Sequence, residues 1–102
     1  MAEEKAVQED KYKEFTHTFR DEFEEKEVSV SVRFKRPNVQ SANRAQKGMM
    51  KSPGTAFSTL CLDAVHPDDK AKMQEAFKTW PGLASTFGNE LLKSMGFGEL
   101  GN

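Results

Sequence analysis

The sequence is poor in the residues that build disulfide scaffolds, metal cages and membrane spans. Its 102 residues include one cysteine, Cys61, and two histidines. A single thiol excludes an intramolecular disulfide and a cysteine cage for zinc, so a disulfide-stabilised secreted domain is not expected. No apolar run approaches the roughly 20 residues that cross a bilayer, and the first residues lack the basic start and apolar stretch of a signal peptide. A cytoplasmic protein without a metal, a cofactor or a membrane contact is therefore predicted.

Candidate catalytic groups are equally scarce. Cys61 lies on an apolar helical stripe, which predicts a buried and inert thiol. His17 shares a strand face with two phenylalanines, and His66 precedes a proline at a predicted helix start, where a capping or turn role is expected. The neighbouring acids Asp68 and Asp69 fit the dipole of a helix N-terminus better than acid–base chemistry. No glycine-rich phosphate loop is present, and we expect the protein not to be an enzyme.

The formal net charge of −1 conceals a strong segregation of charge along the chain. Residues 1–27 carry ten acids and five bases, and residues 63–102 carry six acids and four bases. Residues 28–62 contain no acid at all. Their six bases are Arg33, Lys35, Arg36, Arg44, Lys47 and Lys51.

Two runs of alternating residues predict a β-hairpin in the first third of the chain. Phe15, His17 and Phe19 alternate with threonines, and the apolar residues of 28–34 alternate with polar ones. A period of two is typical of a strand with one apolar and one solvated face. The polar residues 20–26 are predicted to connect the strands, and Pro37 to end the second.

Helical patterns and turn residues divide the rest of the chain into four short helices. Asn38 or Ser41 is predicted to cap the first, which runs to about Met50 with Val39, Ala42, Ala45 and Met49 on one side. The second follows Ser52 and carries the stripe Phe57, Leu60, Cys61, Ala64 and Val65. The third follows Pro67 and the fourth follows Trp80-Pro81-Gly82. The prediction is an α+β fold with a flexible acidic arm at 1–11, a single domain at 12–97 and a flexible tail at 98–102.

The basic middle third is the strongest candidate for binding. Arg44, Lys47 and Lys51 are spaced three and four apart, which predicts one helical face. That face is interpreted as a solvated surface, as a site for an acidic protein partner or, with the least weight, as a nucleic-acid site. Trp80 is interpreted either as a residue that covers the core or as an anchor for a partner. The predicted partner-binding residues are Arg33, Lys35, Arg36, Arg44, Lys47, Met49, Met50, Lys51 and Trp80.

Several short elements resemble the tail assembly chaperones of long-tailed phages and prophages over about residues 12–97. The elements are Lys35-Arg36-Pro37 with Arg44-Ala45-Gln46-Lys47-Gly48, the stretch 52–63, Trp80-Pro81-Gly82-Leu83, and the stretch 87–92. The resemblance implies a small non-enzymatic protein in the bacterial host cell that self-associates. The resemblance also implies that this protein binds the tape measure protein, keeps it soluble and recruits tail tube protein. The alternative is a small regulatory or nucleic-acid-binding protein that uses residues 33–51.

Overall fold

The computed structural model describes residues 11–98, in which an antiparallel hairpin precedes four helices. The strands are β1 (Tyr12–Asp21) and β2 (Lys26–Lys35). The helices are α1 (Val39–Gly48), α2 (Pro53–Ala64), α3 (Lys70–Thr79) and α4 (Gly82–Lys93), with a 3-10 turn at Pro67–Asp69 before α3. The predicted α+β class is confirmed. The predicted arm and tail lie outside the described residues, apart from Lys11 and Gly98.

The hairpin register follows the alternation in the sequence. Phe15, His17 and Phe19 face three valines of β2, whose side chains are buried. Both strands extend further into the polar connection than predicted, since β1 reaches Asp21 and β2 begins at Lys26. Backbone pairing needs no apolar side chain, so the polar ends pair as well. The Asp21 carboxylate accepts the N–H groups of Phe23 and Glu24 at 2.9 and 3.1 Å and so stabilises the reversal.

Helix α1 begins where predicted but ends earlier. The Asn38 side chain caps it by accepting the Ser41 N–H at 2.7 Å. The helix ends at Gly48 rather than Met50. Of the residues predicted to share one side of this helix, Ala42 and Ala45 are buried, whereas Val39, the first helical residue, is 66% exposed.

Helices α2 and α4 pack closely and form the centre of the core. The whole predicted stripe of α2 is buried, which confirms its interpretation as a core face. Gly88 permits the close approach, because a Cβ atom there would lie 2.3 Å from Cδ1 of Phe57. The rings of Phe34 and Phe87 meet at 5.7 Å and connect β2 to α4. A membrane-spanning helix is absent from residues 11–98, where the longest helices have 12 residues.

Candidate partner-binding surface

Arg33 joins the hairpin to the start of α3 through an internal ion pair. Its Nε and Nη2 atoms donate to the two carboxylate oxygens of Asp69 at 3.0 and 2.9 Å. The Arg33 main-chain N–H donates to the same carboxylate at 2.9 Å. The Asp69 side chain is 8% exposed. Hydrogen bonds from Arg33 hold the pKa of Asp69 well below its ordinary value, against the opposing effect of burial.

This contact changes the interpretation of both residues. Much of the Arg33 guanidinium is engaged inside the chain, although the residue was predicted to bind a partner. Asp69 was predicted only to complement a helix dipole, and its role as the acceptor for Arg33 was missed. Asp69 lies 36 residues from Arg33, and no local pattern connects the two.

Trp80 connects the end of α3 to the hairpin turn. Its Nε1–H donates to the Asp21 carboxylate at 2.8 Å, and its ring meets Phe19 edge-on at 5.6 Å. The indole donor is the largest influence that lowers the pKa of Asp21. Trp80 is half-buried, and its contacts fit the core-covering interpretation. Its role as a partner anchor stays a prediction.

A cavity of about 280 Å³ separates α1 from α2, and we name it the helical groove. Its apolar wall includes Ala45, Ala56 and Leu60, and its rim carries Arg44 and Lys51. Lys51 lies beyond the end of α1, so the prediction that it shares a helical face with Arg44 is wrong. The chain nevertheless brings the two cations to one cavity.

The connection between α1 and α2 explains how Lys51 reaches the groove. The carbonyl of Gly48 accepts the N–H groups of Lys51 and Ser52 at 3.1 and 2.8 Å, which closes a tight turn. A Cβ atom on Gly48 would lie 3.2 Å from Cβ of Ala56, so glycine allows the two helices to approach.

The rim of the groove has an excess of positive charge. The Arg44 Nη1 atom lies 3.5 Å from the Asp63 carboxylate, which also accepts the Ser41 hydroxyl at 2.9 Å. Lys47 and Lys51 are exposed and make no ion pair within residues 11–98. Exposed cations near an apolar wall are suited to an acidic amphipathic partner.

The remaining predicted binding residues lie outside the lining of the helical groove. Met49 is half-buried and packs against the core, whereas Met50 is 89% exposed. Lys35 is the half-buried last residue of β2, and Arg36 is exposed in the link that follows. The structure thus places two of the nine predicted residues, Arg44 and Lys51, at the same cavity.

A second, more open cavity of about 510 Å³ lies between β2 and α3. It is lined by Val28 to Ser31 on the strand and by Lys72, Ala76 and Trp80 among the residues of α3 and its end. This cavity is not predictable from the sequence, because its walls come from segments that no local pattern brings together.

Cys61 and His66, two of the residues considered as candidate catalytic groups, have structural roles. Cys61 is buried, its Sγ lies 3.9 Å from the Ala84 carbonyl oxygen, and burial raises the pKa of its thiol to about 12. The Nδ1 atom of His66 accepts the Asp68 N–H at 3.0 Å, which confirms the predicted turn role. Residues 11–98 contain no cluster of three or more side chains suited to holding a metal ion.

Comparison with known proteins establishes the fold relationship and the family. The chain is similar to a solved structure of the uncharacterised protein rbstp2171 from Bacillus stearothermophilus, with a TM-score of 0.67 and 20% sequence identity. The similarity covers 86% of this chain and 88% of that one, and it shows a shared fold. A search of curated proteins finds no match. A family model described as a domain of unknown function, DUF6848, matches residues 6–102, and the chain therefore belongs to the DUF6848 family.

Proposed function

We propose that this protein is a non-enzymatic assembly chaperone that binds and solubilises a phage tape measure protein during tail morphogenesis. The sequence resemblance to tail assembly chaperones supports the class of function. The helical groove, with its apolar wall beneath Arg44 and Lys51, is the observation that carries the mode of binding. In this proposal the groove accepts apolar side chains from an amphipathic helix whose flank is acidic.

The size of the groove supports a side-chain ligand over a cofactor. Small-molecule pockets span roughly 300 to 1,000 Å³ and enclose most of their ligand. The helical groove holds about 280 Å³ and opens to solvent. A helix that lies across the rim would insert a few apolar residues and leave its remaining surface outside.

The charge of the rim supports an acidic flank on that helix. Within residues 11–98, Lys51 makes no ion pair, and the ion pair of Arg44 is the 3.5 Å contact with Asp63. Charges at an interface rim mainly raise the association rate and select the partner. The apolar wall would supply most of the binding free energy.

Co-expression with a phage tape measure protein tests the proposal. The soluble fraction of the tape measure protein should rise, and the two proteins should copurify. The double variant Arg44→Glu with Lys51→Glu should reduce both measures, because it places two carboxylates opposite an acidic helix. The matched control is Lys70→Glu with Lys78→Glu on α3, which makes the same change in net charge outside the groove.

Two outcomes separate the parts of this proposal. If the wild-type protein neither raises the soluble fraction nor copurifies, the chaperone function is refuted. If the wild-type protein works and the groove variant works equally well, the function stands and the helical groove is not its site.

Nucleic-acid binding is the second candidate, and the exposed cations of 44–51 favour it. Binding through these residues would weaken steeply with salt, because released counterions drive the association. Fluorescence anisotropy with labelled duplex DNA and single-stranded RNA at low salt tests it. Binding that Arg44→Glu with Lys47→Glu abolishes would support this candidate, and absence of binding at every salt concentration would eliminate it.

A further inference from the structure

Among residues 11–98, no strand pairs with the outer edge of β1 along its length. Arg33 in β2 directs its N–H to Asp69 and its C=O to the N–H of His66, away from β1. Arg33 faces Glu14, so this is a pair without mutual hydrogen bonds, and Glu14 likewise directs its backbone groups away from β2. Backbone groups alternate in direction along a strand. The N–H and C=O groups of Glu14, Thr16, Thr18 and Arg20 therefore all point to the free edge of β1.

The opposite edge of the hairpin is less available. Val65 forms a bridge with Phe34, and the following residues occupy the backbone groups of Arg33. Within residues 11–98, β1 pairs with β2 alone. An open edge of ten residues is a template for pairing with another strand.

We propose that β1 pairs antiparallel with β1 of a second copy of this chain, about a two-fold axis that passes through His17. In this register Glu14 faces Arg20 of the second copy, and Thr16 faces Thr18 of the second copy. Each of the four facing pairs has both residues directed to the edge, so each supplies two backbone hydrogen bonds. The result is a four-stranded sheet with β2 of each copy on its outside.

Charge complementarity selects this register. The solvated face would carry a row of alternating sign: Arg33 and Glu14 of one copy, then Arg20 and Glu27 of the other. Opposite charges on facing strands stabilise a sheet, and like charges destabilise it. In the single chain, Arg20 forms an ion pair with an exposed turn carboxylate, that of Glu22 at 3.2 Å, and its side chain is 53% exposed.

Neighbouring registers lose this complementarity. An axis through Thr16 would place Phe19 opposite Lys13, and an axis through Thr18 would place Phe15 opposite Asp21. A shift by a single residue would set the apolar face of one copy against the polar face of the other. The His17 axis is the one among these that keeps aromatic opposite aromatic and acid opposite base.

The apolar face gains continuity in the same register. Phe15 and Phe19 are only half-buried in the single chain. Across the axis, Phe15 of one copy would face Phe19 of the other, which extends the valine row of β2 through both hairpins. On the solvated face, the Thr16 and Thr18 hydroxyls already bond to serines of β2 at 2.7 and 2.6 Å, and the facing threonines would continue that row. A two-stranded sheet is marginal in water, and four strands are favoured.

Sedimentation equilibrium of the full chain tests the assembly. The wild-type protein should have twice the 11.5 kDa mass of one chain. Thr18→Pro removes an N–H that points to the free edge, and it should raise the dimer dissociation constant roughly 100-fold or more. Ser29→Pro is the matched control, because Ser29 faces Thr18 and points to the other edge of the hairpin. That variant should remain a dimer, and circular dichroism establishes that both variants fold.

A cysteine cross-link tests the register. His17→Cys places two thiols on the axis in a pair without mutual hydrogen bonds, where facing Cα atoms are about 4.5 Å apart, within the range of a disulfide. Mild oxidation should give a covalent dimer, with Cys61 excluded from reaction by its burial. Arg20→Cys is the control, because its two copies would lie six residues apart along the strand, about 20 Å, and should not cross-link.

Each outcome decides part of the inference. A monomeric wild-type protein at several hundred micromolar, or a Thr18→Pro variant that dimerises like the wild type, overturns the edge-to-edge dimer. A dimer in which His17→Cys fails to cross-link overturns the register. These measurements need no tape measure protein, so their failure is distinct from failure of the proposed function.

Discussion

Removing the charge of Asp69 should destabilise the fold by about 2 kcal/mol at pH 7, because a hydrogen bond to a charged group contributes about 1.5–3 kcal/mol. The substitution Asp69→Asn keeps an amide oxygen for the Arg33 main-chain N–H. It loses the paired contact with the guanidinium, where Nε and Nη2 reach the carboxylate at 3.0 and 2.9 Å. In a domain of this size, about 2 kcal/mol corresponds to a fall in Tm of roughly 8–16 °C.

The pH dependence of this effect has a definite sign. Arg33 lowers the pKa of Asp69 in the folded state, so the carboxylate stabilises the fold above its unfolded pKa of about 3.9. That stabilisation is lost as the pH falls from about 4 through the lower folded-state value. The Tm difference between the wild type and Asp69→Asn should therefore be constant from pH 5 to 8 and should shrink below pH 4.

Thermal denaturation followed by circular dichroism measures both quantities. Asp68→Asn is the matched control, because this neighbouring residue is exposed and acts on Arg33 through its charge alone, whereas the hydrogen bonds of the guanidinium go to Asp69. Its Tm should stay close to that of the wild type. A Tm for Asp69→Asn within 2 °C of the wild type at pH 7, or a difference that persists undiminished at pH 2, would refute the role assigned to the ion pair.

Two further substitutions test contacts between the elements. Gly88→Ala should destabilise the protein by about 1–3 kcal/mol in denaturant unfolding, because its methyl group would overlap the buried Phe57 ring. The control is Gly82→Ala, whose methyl group would have nothing within 4 Å and should change the stability by less than about 0.5 kcal/mol. Trp80→Phe keeps an aromatic ring but removes the indole donor, so NMR titration should show the pKa of Asp21 rising toward its ordinary value. An unchanged pKa would contradict the assigned cause.

The hairpin could be predicted from the sequence because its signal is local. Alternation assigns each side chain to a face, and a register that mismatched the faces would bury serines and expose valines. The strand ends were less predictable, since residues 20–21 and 26–27 pair through their backbones and carry no apolar signal. The cap at Asn38, one of the two residues predicted for that role, was predictable because a capping side chain acts within one helical turn.

The contacts that position the candidate sites could not be predicted in the same way. The Arg33–Asp69 pair and the Trp80–Asp21 hydrogen bond join residues 36 and 59 positions apart. Spacing rules describe neighbours on one helix or one strand, and they carry no information about which elements meet. The early end of α1 at Gly48 shows a related failure, because basic spacing placed Lys51 on a helix that a tight turn had already ended.

The Arg33–Asp69 ion pair also reduces the number of cations that residues 28–62 can offer to a partner. Of its six cations, Arg33 is held by Asp69, Arg44 and Lys51 line the helical groove, and Lys47 is exposed on α1. A nucleic acid bound through the last three would contact about three phosphates, and its affinity would fall with salt at a logarithmic slope of only about −2.7. Two cations that line an apolar wall are better matched to a partner that provides both acids and apolar side chains. The internal use of Arg33 therefore favours a protein helix over a nucleic acid as the occupant of this surface.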